Sequence, residues 1–89
     1  MRASTTVTIV NRLGLHARPA MEFVDAAQAF SCSVRVKKGD LDVDGTSIME
    51  MMMLAATQGT KLEIVAEGED AEPCIAKLKS LVEAGFDDD

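Results

Sequence analysis

The chain has 89 residues, 9 of them basic and 15 acidic, for a net charge of −6, with 47% hydrophobic residues, three Phe and neither Trp nor Tyr. That length holds one core in one domain, residues 1–89, so a single site must carry the function. The acidic, nearly aromatic-free composition excludes a protein that tracks a nucleic-acid backbone or stacks bases. No stretch approaches the roughly 20 uninterrupted apolar residues that cross a bilayer, and no apolar signal run opens the chain, so a cytoplasmic protein without membrane contact is expected.

The first predicted element is a strand over about residues 5–10, where Thr6, Val7, Thr8 and Ile9 alternate polar and apolar. A helix over about residues 17–29 follows, because Ala20, Met21, Phe23, Val24 and Ala27 recur at helical spacing while Glu22, Asp25 and Gln28 fill the other face. Val34 and Val36 alternate with Arg35 and Lys37, and Leu41 and Val43 alternate with Asp40, Asp42 and Asp44. Gly39 between them predicts a hairpin. Ser47 and Glu50 form the Ser-x-x-Glu capping box of a second helix over about residues 47–56, with Gly59 beyond its end. Leu62, Ile64 and Ala66 mark a fourth strand that Val65 suggests is covered on more than one face. Asp70 is placed to cap a third helix whose stripe is Ala71, Cys74, Ile75, Leu78, Leu81 and Val82, and Gly85 stops it. Asp87, Asp88 and Asp89 read as a frayed acidic tail. The order βαββαβα predicts an α+β two-layer sandwich with the helices gathered on one face of the sheet.

Charge is unevenly spread: residues 1–38 carry six basic and two acidic side chains, residues 39–89 three and thirteen. The two halves thus favour different surroundings. Cys32 and Cys74 stand far apart, with no C-x-x-C pair and no histidine set. They predict neither a zinc site nor a redox dithiol, only reduced packing residues, and no metal or cofactor is expected.

The candidate site is the stretch Gly14-Leu15-His16-Ala17-Arg18-Pro19-Ala20. His16 is the single histidine of the chain, and because no oxyanion or substrate-pocket signal accompanies it, it is not read as part of a Ser-His-Asp triad. It lies between a glycine turn and a helix start, where backbone N–H groups lack intrahelical partners and the helix dipole favours negative charge. A phosphoryl group on the imidazole would rest on the amides of Ala17 and Arg18, and the Arg18 guanidinium is a forked cation suited to phosphate oxygens. Pro19 fits the first turn, which needs no N–H there. Imidazole is a competent nucleophile near neutral pH, and its phosphorylated form is a reactive donor. Residue chemistry alone also accommodates a plain helix start beside two arginines.

The same seven residues resemble the active-site signature of HPr, the histidine phosphocarrier family of the bacterial phosphotransferase system. The resemblance extends over nearly the whole chain, through Asn11, the Ser47-Ile48-Met49 start of the second helix, the element order and the length. It implies an open-faced sandwich of four antiparallel strands and three helices. It also implies that His16 accepts a phosphoryl group through Nδ1 from enzyme I charged by phosphoenolpyruvate, that Arg18 assists, and that the acceptor is an enzyme IIA-type protein. No independent turnover of a small molecule is implied.

Ser47 matches the family serine that HPr kinase/phosphorylase phosphorylates as a regulatory mark, although a capping box explains it without a kinase. Glu50 stands where the family often has glycine, and its charge would oppose a phosphate on Ser47. Ile48, Met49, Met51, Met52, Met53, Leu54, Ala55 and Ala56 are too continuous to face one core, so about half the methionines should lie outside as an adaptable apolar surface. By resemblance Met21, Ile48, Met49 and Met52 are the expected docking residues. Many carriers of the family surround that patch with lysines, whereas here Asp25, Gln28 and Glu50 occupy nearby positions and only Arg12 and Arg18 remain basic, which points toward a regulatory or nitrogen-type branch. The competing reading is a regulatory binding module that acts through Ser47 and the second helix alone. A ferredoxin-like metal domain fits poorly, because a helix trails the last strand and no ligands cluster. A monomer is expected, since a carrier must show one face to donor and acceptor in turn.

Overall fold

The structure, a computed structural model, describes residues 1–87. Its elements are β1 (Arg2–Thr8), α1 (Ala17–Gln28), β2 (Cys32–Lys38), β3 (Leu41–Asp44), α2 (Ile48–Met53), β4 (Lys61–Gly68) and α3 (Ala71–Glu83), then a short 3-10 turn at Gly85–Asp87. The strands form one antiparallel sheet in the order β1-β4-β2-β3. The βαββαβα order and the open-faced α+β sandwich are as the sequence predicts.

Strand alternation decides which face the helices cover. Val7 and Ile9, Val34 and Val36, Val43, and Leu62, Ile64 and Ala66 are buried on one side. Phe23, Val24 and Ala27 of α1, Met51 of α2, and Cys74, Leu78 and Val82 of α3 close over them. The opposite face is open and charged, with Arg35 Nε donating to Asp42 Oδ1 at 3.0 Å. Val65 is nonetheless buried on that open face, flanked in register by Ser4 and Arg35. The expectation that β4 is covered on both faces therefore holds for that residue.

Four local expectations are corrected. β1 runs Arg2–Thr8 rather than about 5–10, because its register begins with Arg2 opposite Glu67 near the end of β4 and ends with Thr8 opposite Lys61. α2 covers Ile48–Met53 rather than about 47–56, because Ala55 turns left-handed at φ 47°. The capping box is one-sided: Ser47 Oγ accepts the Glu50 N–H at 3.2 Å, while Glu50 Oε1 accepts the N–H of Asp44 at 2.9 Å instead of that of Ser47. Asp70 precedes α3 without capping it through its side chain. Its Oδ2 is taken by the Ser31 N–H at 2.8 Å, at the turn between α1 and β2.

Pro19 and Pro73 each occupy the third position of their helix, where no intrahelical bond needs an N–H. Past α3, Gly85 and Phe86 are buried. Asp87 of the expected tail is exposed and ends the 3-10 turn, while Asp88 and Asp89 lie outside the described residues. Among the described residues no helix is long and apolar enough to cross a membrane.

Candidate functional site

His16 is the N-cap residue of α1, in extended backbone geometry, and its side chain does not cap the helix. Of the next three residues, Ala17 and Arg18 have amide N–H groups at the helix start and Pro19 has none. The N–H of Ala20 closes the first turn on His16 O at 3.0 Å. Two amides and the positive end of a 12-residue helix thus lie directly after the imidazole, with no acidic residue in the first turn. Arg18 is 74% exposed, and its Nε stands 3.8 Å from Glu22 Oε1. An exposed pair at that distance is weak and readily exchanged for phosphate oxygens.

The loop that presents His16 is built on a second loop beneath it. Leu15 is buried, and its N–H donates to Ala56 O at 2.8 Å. Asn11, also buried, donates from Nδ2 to Gly14 O at 2.6 Å, and the Gly14 N–H returns to Asn11 O at 3.1 Å. Farther back, Gly59 N–H donates to Ile9 O at 2.7 Å and Gln58 Nε2 to Val10 O at 3.0 Å. Gly14 has φ 72°, and a Cβ on it would lie 2.5 Å from Ala56 O, so only glycine lets the two loops meet. Sequence reasoning missed Ala56 as a support, since its contribution is a carbonyl and leaves no trace in residue type.

α2 lies beside α1, and Gln28 Nε2 at the far end of α1 donates to Thr46 O at 3.3 Å. Ser47 therefore begins α2 near the end of α1 remote from His16, while the chain leaving α2 reaches the His16 loop through Ala56. The structure does not bring Ser47 and His16 together. Lys38 Nζ donates to Leu54 O at 2.8 Å and holds the C-terminal carbonyl end of α2. The Asp44 carboxylate is held below its usual value because its Oδ1 accepts from both the hydroxyl and the N–H of Thr46, at 2.7 and 2.8 Å.

Met21, Ile48, Met49 and Met52 are all exposed, Met49 at 81%, and Met51 alone of the α2 methionines is buried. Leu13 in the His16 loop and Met53 at the end of α2 are exposed as well, and neither is among the expected docking residues. The solvent position of Leu13 could have been suspected from its place between Arg12 and Gly14, in a turn. Among the described residues no cavity is enclosed and no three metal-ligating side chains come together.

Residues 3–84 match the family model described as PTS HPr component phosphorylation site. The chain is 46% identical over 83 residues to a phosphocarrier protein HPr of Pseudomonas aeruginosa, covering 92% of both. It is 33% identical over 90 residues to a phosphocarrier protein NPr of Escherichia coli, covering 100% of both. A crystal structure of HPr-C-His from Thermoanaerobacter tengcongensis superposes with a TM-score of 0.93 at 40% identity, covering 98% of each chain.

Proposed function

Because the chain belongs to the HPr family of the phosphotransferase system, whose members transfer phosphoryl groups by way of a histidine, we propose that His16 is the phosphoacceptor, charged by enzyme I and discharged to an enzyme IIA-type protein. The observation that carries this reading is the placement of the single histidine at the N-cap of α1, followed by the helix-start amides of Ala17 and Arg18. In each transfer the imidazole nitrogen forms an N–P bond as the donor's bond to phosphorus breaks. The pair of amides and Arg18 spread the charge of the phosphoryl oxygens. Passing the group onward needs the reverse displacement, so these contacts must hold the phosphoryl group without trapping it.

A half-buried His16 with exposed Leu13 in its loop and exposed Met21 on the helix that follows, and with exposed Met49 and Met52 on α2, suits a macromolecular donor and acceptor. Methionine side chains adapt to more than one partner without a fixed pocket. Regulation at Ser47 by HPr kinase/phosphorylase is a subordinate proposal. A phosphate there would stand beside the carboxylate of Glu50, which is turned toward Asp44.

The test is incubation with enzyme I, magnesium and phosphoenolpyruvate, followed by intact mass and acid lability, with His16→Ala as the control. One acid-labile phosphate, absent from the control and passed on to an enzyme IIA-type protein, is the expected result. A chain that takes no phosphate with a competent enzyme I, while its α2 surface still binds a partner, supports the regulatory module instead. Comparing sugar-type with nitrogen-type enzyme IIA proteins as acceptors tests the branch suggested by the loss of positive charge around the patch.

A further inference from the structure

Far apart in sequence, the two cysteines meet in the fold. Cys32 opens β2 in register with Gly68, the last residue of β4, and its side chain shares the helix-facing side of the strand with Val34 and Val36. Cys74 lies in the first turn of α3, fully buried, with its N–H on Asp70 O at 3.0 Å. Asp70 also fixes the residue next to Cys32: its Oδ2 accepts the Ser31 N–H at 2.8 Å, and its own N–H donates to Ser31 O at 3.4 Å. Gly68 allows this closure, since a Cβ there would lie 2.7 Å from Ser31 O and 2.8 Å from Cys32 Cα. Both cysteines, free of any disulfide, are thus brought to one corner of the core, where Cys32 packs against the cluster that holds Cys74. Cys32 is partly open to solvent, whereas Cys74 is not.

We propose that Cys32 and Cys74 are an oxidisable dithiol that a hydroperoxide converts to an intramolecular disulfide. The Cys32 sulfur attacks the peroxide, an S–O bond forms as the O–O bond breaks, and the thiol proton leaves with the departing oxygen as water. The Cys74 sulfur then attacks the resulting sulfenic acid. An S–S bond forms as the S–O bond breaks, and the Cys74 proton leaves with hydroxide as a second water. Two thiols lose two electrons, and one hydrogen peroxide is reduced to two waters. Burial raises the Cys74 thiol to about 12, so the second step quickens with pH. The bridge ties the start of β2 to α3 and lies beyond the end of α1 opposite His16, a helix of 12 residues or about 18 Å away. Oxidation thus reinforces the fold at the end remote from the phosphoacceptor.

The test exposes the reduced full chain to hydrogen peroxide and reads intact mass, a proteolytic map and thermal unfolding. The expected result is loss of two hydrogens, a single Cys32–Cys74 linked pair and a midpoint raised by roughly 8 °C or more. All three revert with dithiothreitol and are absent from both Cys32→Ser and Cys74→Ala. Oxygen added to Cys32 without a crosslink overturns the proposal, as do disulfide-linked dimers. So do thiols that stay intact under conditions that oxidise the unfolded chain.

Discussion

At the scale of single residues, the His16 loop depends on backbone conformations that side chains resist. Gly14 meets the demand with the residue best able to, whereas Ala55 meets an equal demand at φ 47° with a Cβ that disfavours it. Ala55 is exposed, so a change there disturbs no packing. Ala55→Gly is expected to stabilise the protein by about 1 kcal/mol in urea unfolding, the difference between strained and unstrained left-handed backbone. A loss of stability would show that the Ala55 turn carries no strain. Gly14→Ala works the other way: it adds the strain and drives a Cβ into Ala56 O, with an expected cost of roughly 2–4 kcal/mol. Because the clash parts the loop from its support, phosphorylation of His16 by enzyme I should slow even in protein that is still folded at low temperature. The two glycine-like positions show what a sequence conceals. Gly14 is legible as a turn residue, but nothing in the letter at Ala55 announces a helix stop, so the apolar run predicts too long an α2.

Among the elements, α2 is held at one end by its own cap and at the other by a tertiary partner. Its six residues are too few to hold a helix alone, so Ser47 at one end and Lys38 at the other do much of the fixing. The amphipathic stripes of α1 and α3 were plain in the sequence because each covers the sheet along a dozen residues. The roles of Glu50 and Asp70 were not, since their carboxylates serve the N–H groups of Asp44 and Ser31 across a turn or between elements. Glu50 also supplies the negative charge that should make Ser47 a poor kinase substrate. Replacing it tests this without deleting a cap, because Ser47 Oγ accepts from the backbone N–H of Glu50, which any residue but proline provides. Glu50→Gln is expected to raise the rate of Ser47 phosphorylation by HPr kinase/phosphorylase several-fold while leaving helix content by circular dichroism unchanged. An unchanged rate would place the barrier in the partner surface rather than in local charge.

For the molecule as a whole, the sheet order, the helix-covered face and the location of His16 were legible because periodicity and a contiguous motif report them. The meeting of Cys32 and Cys74 was not, because it is created by the antiparallel return of β4 beside β2 and by the turn at Asp70. That meeting leaves a mark on stability. The Cys74 thiol is raised to about 12 from an ordinary 9.0, chiefly by burial, then by the hydrogen bond and charge of Cys32 and the charge of Asp70. Below pH 9.0 both folded and unfolded chains keep this proton, and its contribution is fully present. As pH rises further the unfolded chain releases the proton first, so unfolding is favoured by up to about 1.4 kcal/mol per pH unit until the folded thiol titrates as well. Cys74→Ala removes this dependence and leaves every other ionisable group in place. Unfolding by urea with a reductant present, followed by far-ultraviolet circular dichroism because the chain has no Trp or Tyr, compares the two at pH 8 and pH 10.5. The wild type is expected to be the more stable at pH 8, since alanine leaves a small void at a fully buried site, and to lose most of that lead at pH 10.5. A lead that stays constant across the range would mean that Cys74 titrates in the folded protein as it does in the unfolded chain, and that the α3–β2 corner is open to water.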